Sequence, residues 1–218
     1  MLKAVIFDLD GVLSDSEGIY QEVVAEIMKK FDISVPVSEL RSLQGLNSIL
    51  VWELLSERYS PPATASELLQ MEHEYMGKLT ESGYVPIVPF SFELMRNLKE
   101  CGLKTAVATS NFGYIASMVL KQGEAEELVD VLVSCEDVER VKPAPDVYLL
   151  TARLLGEKPE DCIVIEDSQI GLEAAKSAGM KVVLYAPVKL FDTKDCDVDL
   201  ILDSFEGMTL EQLEQCFF

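Results

Sequence analysis

Short apolar runs recur along the chain at Lys3–Phe7, Lys104–Ala108, Val131–Val133, Cys162–Ile165, Lys181–Leu184 and Leu200–Leu202. They are rich in Val, Ile and Leu and lack strict alternation, the pattern of strands buried on both faces. Between the later runs, apolar residues return at helical spacing. Helices are predicted over Ser91–Glu100, Pro145–Leu155 and Gly171–Ala178, followed by Gly102, Gly156 and Gly179, residues suited to closing a helix C-terminus. Strand, helix, strand repetition with short loops predicts an α/β fold: a Rossmann-like parallel sheet flanked by helices.

One stretch breaks this rhythm. From Asp15 to Tyr84 the pattern is helical throughout. Ile19, Tyr20, Val23, Val24, Ile27 and Met28 form one face of a helix over Glu17–Phe31. Further helices are predicted over Ser38–Leu43, Asn47–Tyr59 and Ala65–Ser82, separated by Pro36, Gly45 and Pro61-Pro62. The expected organisation is an α/β core of residues 1–15 and 85–218, with a helical cap of residues 16–84 inserted after the first strand. Met28, Trp52, Met71 and Met76 are expected to form the cap's own core. His73, the only histidine, lies in a charged helical stretch and is expected to be a solvated surface residue.

With 218 residues and 49% hydrophobic composition the chain can bury a substantial core. Its 38 acids against 18 bases give a formal charge of −20. Nucleic acid and anionic membranes are thereby disfavoured as partners, because phosphate-rich surfaces select basic proteins. No apolar stretch approaches the roughly 18 residues of a membrane span. The five cysteines are scattered, with no C-x-x-C pair, and suit neither a disulfide framework nor a zinc site. They are expected to be reduced and mostly packed, in a cytoplasmic protein for which a monomer is the default.

Ligands of open α/β sheets sit beyond the carboxyl ends of the strands. Asp8-Leu9-Asp10-Gly11 follows the first run and Thr109-Ser110-Asn111 the second. The loop after the third leads to Lys142-Pro143-Ala144-Pro145-Asp146, and Glu166-Asp167-Ser168 follows the fourth. Asp8, Asp10, Glu166 and Asp167 cannot all ionise side by side without a compensating charge. A hard divalent cation resolves the conflict, and an all-oxygen set points to Mg²⁺. Lys142 adds a positive charge and Ser110 a hydroxyl donor, which together describe a pocket for a phosphoryl group. A carboxylate in line with that group could attack phosphorus and form an aspartyl phosphate.

In these motifs, in Leu13, and in the Gly171, Ala174, Ala175 and Ala178-Gly179-Met180 segment, the chain resembles the haloacid-dehalogenase-like phosphohydrolases. Within them it is similar to the subgroup of β-phosphoglucomutase and phosphoglycolate phosphatase, which carries a helical cap at the same place. The resemblance implies that Asp8 is the nucleophile and a metal ligand. It implies that Asp10 is the general acid and base, with its backbone carbonyl on the metal. Ser110 and Lys142 would hold the phosphoryl oxygens, Asn111 would be a further substrate contact, and Glu166 and Asp167 would complete a Mg²⁺ site. The cap loop Gln44-Gly45-Leu46-Asn47 lies where the subgroup selects substrate, so Gln44, Gly45 and Asn47 are candidate substrate contacts, with Tyr20 and Arg41 beyond them.

The implied activity is hydrolysis of a small organic phosphomonoester such as a sugar phosphate. A mutase is the alternative, since it needs cations on the cap to hold a second phosphate. Between Glu17 and Tyr84, however, five bases face eleven acids, and Tyr20 stands where β-phosphoglucomutases usually have histidine. A non-catalytic phosphate-binding descendant is a further alternative, set against the retention of Asp8. The cap's balance of −6 points to a substrate whose remainder is neutral or nearly so.

Overall fold

The apolar runs pair into one parallel sheet of order β3–β2–β1–β4–β5–β6, in a computed structural model that describes residues 1–43, 46, 48–83, 85–187 and 197–217. The strands are β1 (Ala4–Phe7), β2 (Lys104–Ala108), β3 (Val131–Val133), β4 (Cys162–Glu166), β5 (Lys181–Tyr185) and β6 (Leu200–Leu202). Two of them run one residue beyond the expected end, to Glu166 and Tyr185, because the ladder continues through Glu166 opposite Leu184 and Tyr185 opposite Leu202.

Successive side chains of a strand point to opposite faces, so each strand feeds two cores. Val5, Phe7, Val107, Ile163, Ile165 and Val183 face one layer, which holds Leu94, Met95 and Leu98 of α5 (Ser91–Glu100). The same layer holds Ala116, Val119 and Leu120 of α6 (Gly113–Gln122) and Leu213 of α9 (Leu210–Glu214). Ala4, Ile6, Ala106, Ala108, Val164, Val182 and Leu184 face the other layer. There they meet Val147, Tyr148 and Ala152 of α7 (Asp146–Leu155) and Leu172, Ala174 and Ala175 of α8 (Gln169–Ser177). Burial on both sides explains the unbroken apolar runs. α6 is a helix that the strand–helix reading of the sequence passed over, although Ile115, Ala116, Val119 and Leu120 carry its buried stripe.

The chain divides into two compact units, Met1–Ser14 with Ile87–Phe218, and Asp15–Pro86. Within the second, the helices are α1 (Glu17–Lys29), α2 (Val37–Ser42), α3 (Ser48–Tyr59) and α4 (Ala65–Glu81). The start of α4 follows from a capping box: Thr64 Oγ1 accepts from Glu67 N while Glu67 Oε2 accepts from Thr64 N at 2.8 Å. Ile27, Met28, Trp52, Leu55, Leu68 and Met76 are buried here, and Met71 is half-buried. The Trp52 indole donates to Glu72 Oε2 at 2.6 Å, with both side chains buried. Among the described residues the cysteines are unpaired; Cys162 and Cys216 are buried, Cys135 half-buried and Cys101 exposed, and Cys196 lies outside the described residues.

His73 departs from expectation. It is half-buried on α4 rather than solvated, and burial pushes its imidazole down from 6.5 to about 4. The cause is that a 3.6-residue period brings position 73 toward the core side although its neighbours in sequence are charged. The unfolded chain therefore binds more protons than the folded one between these two values. The contribution of His73 to stability is full above pH 6.5 and falls as pH drops toward 4, by about 1–2 kcal/mol after discounting for partial exposure. Because His73 is the only histidine, one imidazole resonance followed by NMR should titrate near pH 4. A His73→Gln variant should flatten this part of the stability profile.

Candidate active site

Parallel register decides which residues share an edge. Phe7 of β1 lies opposite Val107 of β2 and Ile165 of β4, so the next residues, Asp8, Ala108 and Glu166, emerge level with one another. Two backbone bonds extend the ladder past the strands, Asp8 N to Ile165 O at 3.0 Å and Thr109 N to Val133 O at 3.0 Å. Thus the segments that follow β1, β2 and β4 converge at the carboxyl edge of the sheet, and the loop before α7 joins them with Lys142.

Lys142 is 3% exposed. Its ammonium donates to Asp8 Oδ1 at 2.6 Å, Glu166 Oε1 at 2.8 Å and the Ala108 carbonyl at 3.2 Å. An ammonium has three protons, so all of them are committed inside the protein. The charge sits beside Asp8, and Lys142 would act on a phosphoryl group from there. The ring of Tyr148 lies 4.7 Å beneath the ammonium, and its hydroxyl donates to Glu166 Oε1 at 2.9 Å. Glu166 Oε2 accepts from Asp167 N, Ser168 N and Ser168 Oγ at 2.9–3.0 Å. Ser168 in turn caps α8, its hydroxyl accepting from Gly171 N at 3.1 Å.

The electrostatics follow. Burial works against the Lys142 ammonium, but Asp8 and Glu166 more than offset it and hold its pKa well above the usual lysine value. Burial also opposes the Glu166 carboxylate, yet Lys142 and the hydrogen bonds keep it below the usual range. Asp8 has fewer donors. Burial pushes its carboxyl up to about 7, with Lys142 opposing and Glu166 and Asp10 adding to the rise.

Asp10 is half-buried, and its carboxylate is met by Asn111. The Asn111 Nδ2 donates to Asp10 Oδ2 at 3.1 Å, and the Ser14 hydroxyl stands 3.5 Å from Oδ1. Asn111 itself is 8% exposed, and its side chain is turned toward Asp10. Ser110, at the end of β2, is exposed.

Carboxylate oxygens of Asp8, Glu166 and Asp167 all lie within 4.8 Å of one another. This all-oxygen set fits a hard divalent cation, which would also counter the repulsion that raises Asp8. The three are not equivalent. Glu166 already accepts five hydrogen bonds, about the full capacity of a carboxylate, whereas Asp167 is half-buried and bends close over Gly11. A Cβ on Gly11, which has φ +80°, would lie 1.9 Å from Asp167 Oδ2, so only glycine admits this approach.

The remaining expected residues belong to the inserted unit. Tyr20 is half-buried on α1 and Arg41 exposed on α2, while Gln44, Gly45 and Asn47 lie outside the described residues. Two contributors went unread in the sequence. Tyr148 looks like one more apolar position of α7, and Ser168 like part of an acidic motif. A serine three residues before Gly171, at the start of a helix, was the available signal for the second.

A buried lysine shared by two acids, on the carboxyl edge of a parallel sheet with a helical insertion after β1, is chemistry suited to handling a phosphoryl group. The chain belongs to the haloacid dehalogenase-like hydrolases, whose family model matches residues 5–185. It is 35% identical to YhcW of Bacillus subtilis over 98% of this chain and 96% of that protein. Hexitol phosphatase A of Escherichia coli is 31% identical over 95% of this chain and 94% of its own. Among solved structures, CbbY from Rhodobacter sphaeroides in complex with phosphate superposes with a TM-score of 0.83 at 26% identity, covering 98% of this chain and 100% of that one.

The packing of Gly171 supplies a test. A Cβ there would stand 1.7 Å from Glu166 Oε1, so Gly171→Ala must displace the carboxylate that orients Lys142. We expect a loss of about 1–3 kcal/mol from overpacking, read by chemical denaturation. Turnover should fall more than about tenfold, beyond what the lost stability explains, because the Lys142–Asp8 contact moves with Glu166.

Proposed function

We propose that this chain is a Mg²⁺-dependent phosphatase that hydrolyses a small organic phosphomonoester through an aspartyl phosphate. The observation that carries the reading is the Lys142 ammonium held 2.6 Å from Asp8, inside a cluster of carboxylate oxygens that fits a divalent cation. A lone aspartate would be a weak nucleophile facing an anion. Here a fixed positive charge and a metal site stand where the charge of the transferred group develops.

Asp8 attacks phosphorus through a carboxylate oxygen, and the bond from phosphorus to the leaving oxygen breaks. Asp10 donates its proton to that oxygen, releasing the alcohol. Asp10 then takes a proton from water as the water attacks the acyl phosphate, which frees inorganic phosphate and returns Asp8 to its starting state. Ser110 offers its hydroxyl to the phosphoryl oxygens, and Lys142 supplies charge from beside Asp8. Asp8 and Asp167, with the Asp10 carbonyl, would hold the cation, with Glu166 contributing charge to the same cluster. When bound, Mg²⁺ neutralises the phosphoryl oxygens and favours the ionised form of Asp8.

Substrate choice is assigned to the inserted unit, through Gln44, Gly45 and Asn47, with Tyr20 and Arg41. The net charge of −6 between Glu17 and Tyr84 favours a substrate whose remainder is neutral or nearly so. The hexitol phosphatase relative supports an alkyl phosphate of that kind. A CbbY structure at 26% identity holds xylulose-(1,5)bisphosphate, so bisphosphates belong in any substrate panel.

Phosphate release from metabolite monophosphates, measured with and without Mg²⁺, tests the reading. Native protein should act only with the metal and without any added sugar bisphosphate. Asp8→Asn should remove essentially all turnover, and Lys142→Ala should lower it by about 10²–10³. No release from native protein, or equal release from Asp8→Asn, would reject the mechanism. Strict dependence on a bisphosphate would replace hydrolysis by mutase chemistry.

A further inference from the structure

Asn111 follows Ser110 directly, and in the sequence it reads as one more group for the substrate. Its side chain is instead engaged at both ends. Oδ1 accepts from Phe112 N at 2.8 Å, and Nδ2 donates to Asp10 Oδ2 at 3.1 Å. A backbone N–H can only donate, so the amide oxygen must face Phe112 and the NH₂ must face Asp10. The residue cannot flip without losing both bonds. Its backbone is held as well, Asn111 N donating to Thr109 Oγ1 at 2.9 Å and its carbonyl accepting from Cys135 N at 3.2 Å. Thr109 and Asn111 are both buried.

A carboxyl group turns easily about its last bond, whose torsion has broad minima. Proton transfer, in contrast, needs one oxygen aligned on the leaving oxygen at hydrogen-bond distance. The contact from the β2 loop supplies that alignment. We propose that Asn111 is a positioning residue for Asp10: it fixes the rotation of that carboxyl group for proton delivery to the leaving oxygen, and does not bind the phosphoryl group. The inference rests on the acid–base role given to Asp10 above.

Leaving groups separate this role from its alternatives. The value of kcat/KM covers steps up to departure of the alcohol. An alkyl alcohol needs a proton to leave, whereas p-nitrophenolate does not. The experiment compares kcat/KM for p-nitrophenyl phosphate with that for the best alkyl monophosphate of the substrate panel. It does so in native protein, Asn111→Ala, the isosteric Asn111→Asp and Asp10→Ala, with inorganic phosphate as competitive inhibitor. Both Asn111 variants should lower the alkyl-to-aryl ratio by about tenfold or more, in the direction of Asp10→Ala but less far. The inhibition constant of phosphate should stay within about twofold in Asn111→Ala, since no phosphate contact is lost. Equal losses on both substrates, or phosphate binding weakened more than about threefold in Asn111→Ala, would overturn the proposal and make Asn111 a phosphate contact. If Asp10→Ala leaves the ratio unchanged, the acid role of Asp10 fails and the inference falls with it. Turnover of the aryl ester by each variant reports that the site has folded.

Discussion

The Lys142 ammonium is the constraint on which the rest of the site depends. A charge 97% removed from solvent costs several kcal/mol unless it is fully paired. Lys142 meets that demand with Asp8 from the end of β1, Glu166 from the end of β4 and a carbonyl from the end of β2. The loop before α7 is thereby pinned to three strands at once. Loss of any one partner leaves a buried ammonium proton without its acceptor, so the contact that tethers the loop also holds the proposed nucleophile in place. Tyr148 completes the arrangement from α7, with its ring under the ammonium and its hydroxyl on Glu166.

Around that contact the sheet works as a ruler. Register alone sets Asp8, Ala108 and Glu166 level, and backbone bonds beyond the strand ends carry the alignment into the loops. Close approach then needs the absence of side chains. Gly11 makes room for Asp167 and Gly171 for Glu166, so two acids lean into the edge where a Cβ would block them. The result is a crowded set of oxygens that suits a dication and is poorly suited to being left without positive charge.

Legibility varied with how local the cause was. The strands were readable because double burial leaves no polar position to break them, and their ends shifted by only one residue where the ladder ran on through Glu166 and Tyr185. The capped helices were readable from Gly102, Gly156 and Gly179, which all take positive φ. α6 was missed because it begins at Phe112-Gly113 without a side-chain cap. His73 was misread because charged neighbours in sequence are not its neighbours across the helix. Tyr148 was hidden for a related reason: an aromatic at a core position does not announce where its hydroxyl ends.

What the sequence by itself determined is the inventory: a parallel sheet flanked by helices, a helical insertion after β1, and the acids, hydroxyl and lysine that follow the strands. These are local properties, written in periodicity and in the residues that end each apolar run. What only the tertiary structure decided is who faces whom. It committed all three Lys142 protons to protein acceptors, gave Glu166 five hydrogen bonds, and set the Asn111 amide against Asp10. Hydrogen-bond capacity is finite and directional, and its allocation among groups 24 to 134 residues apart in the chain is settled only when strand register brings them together.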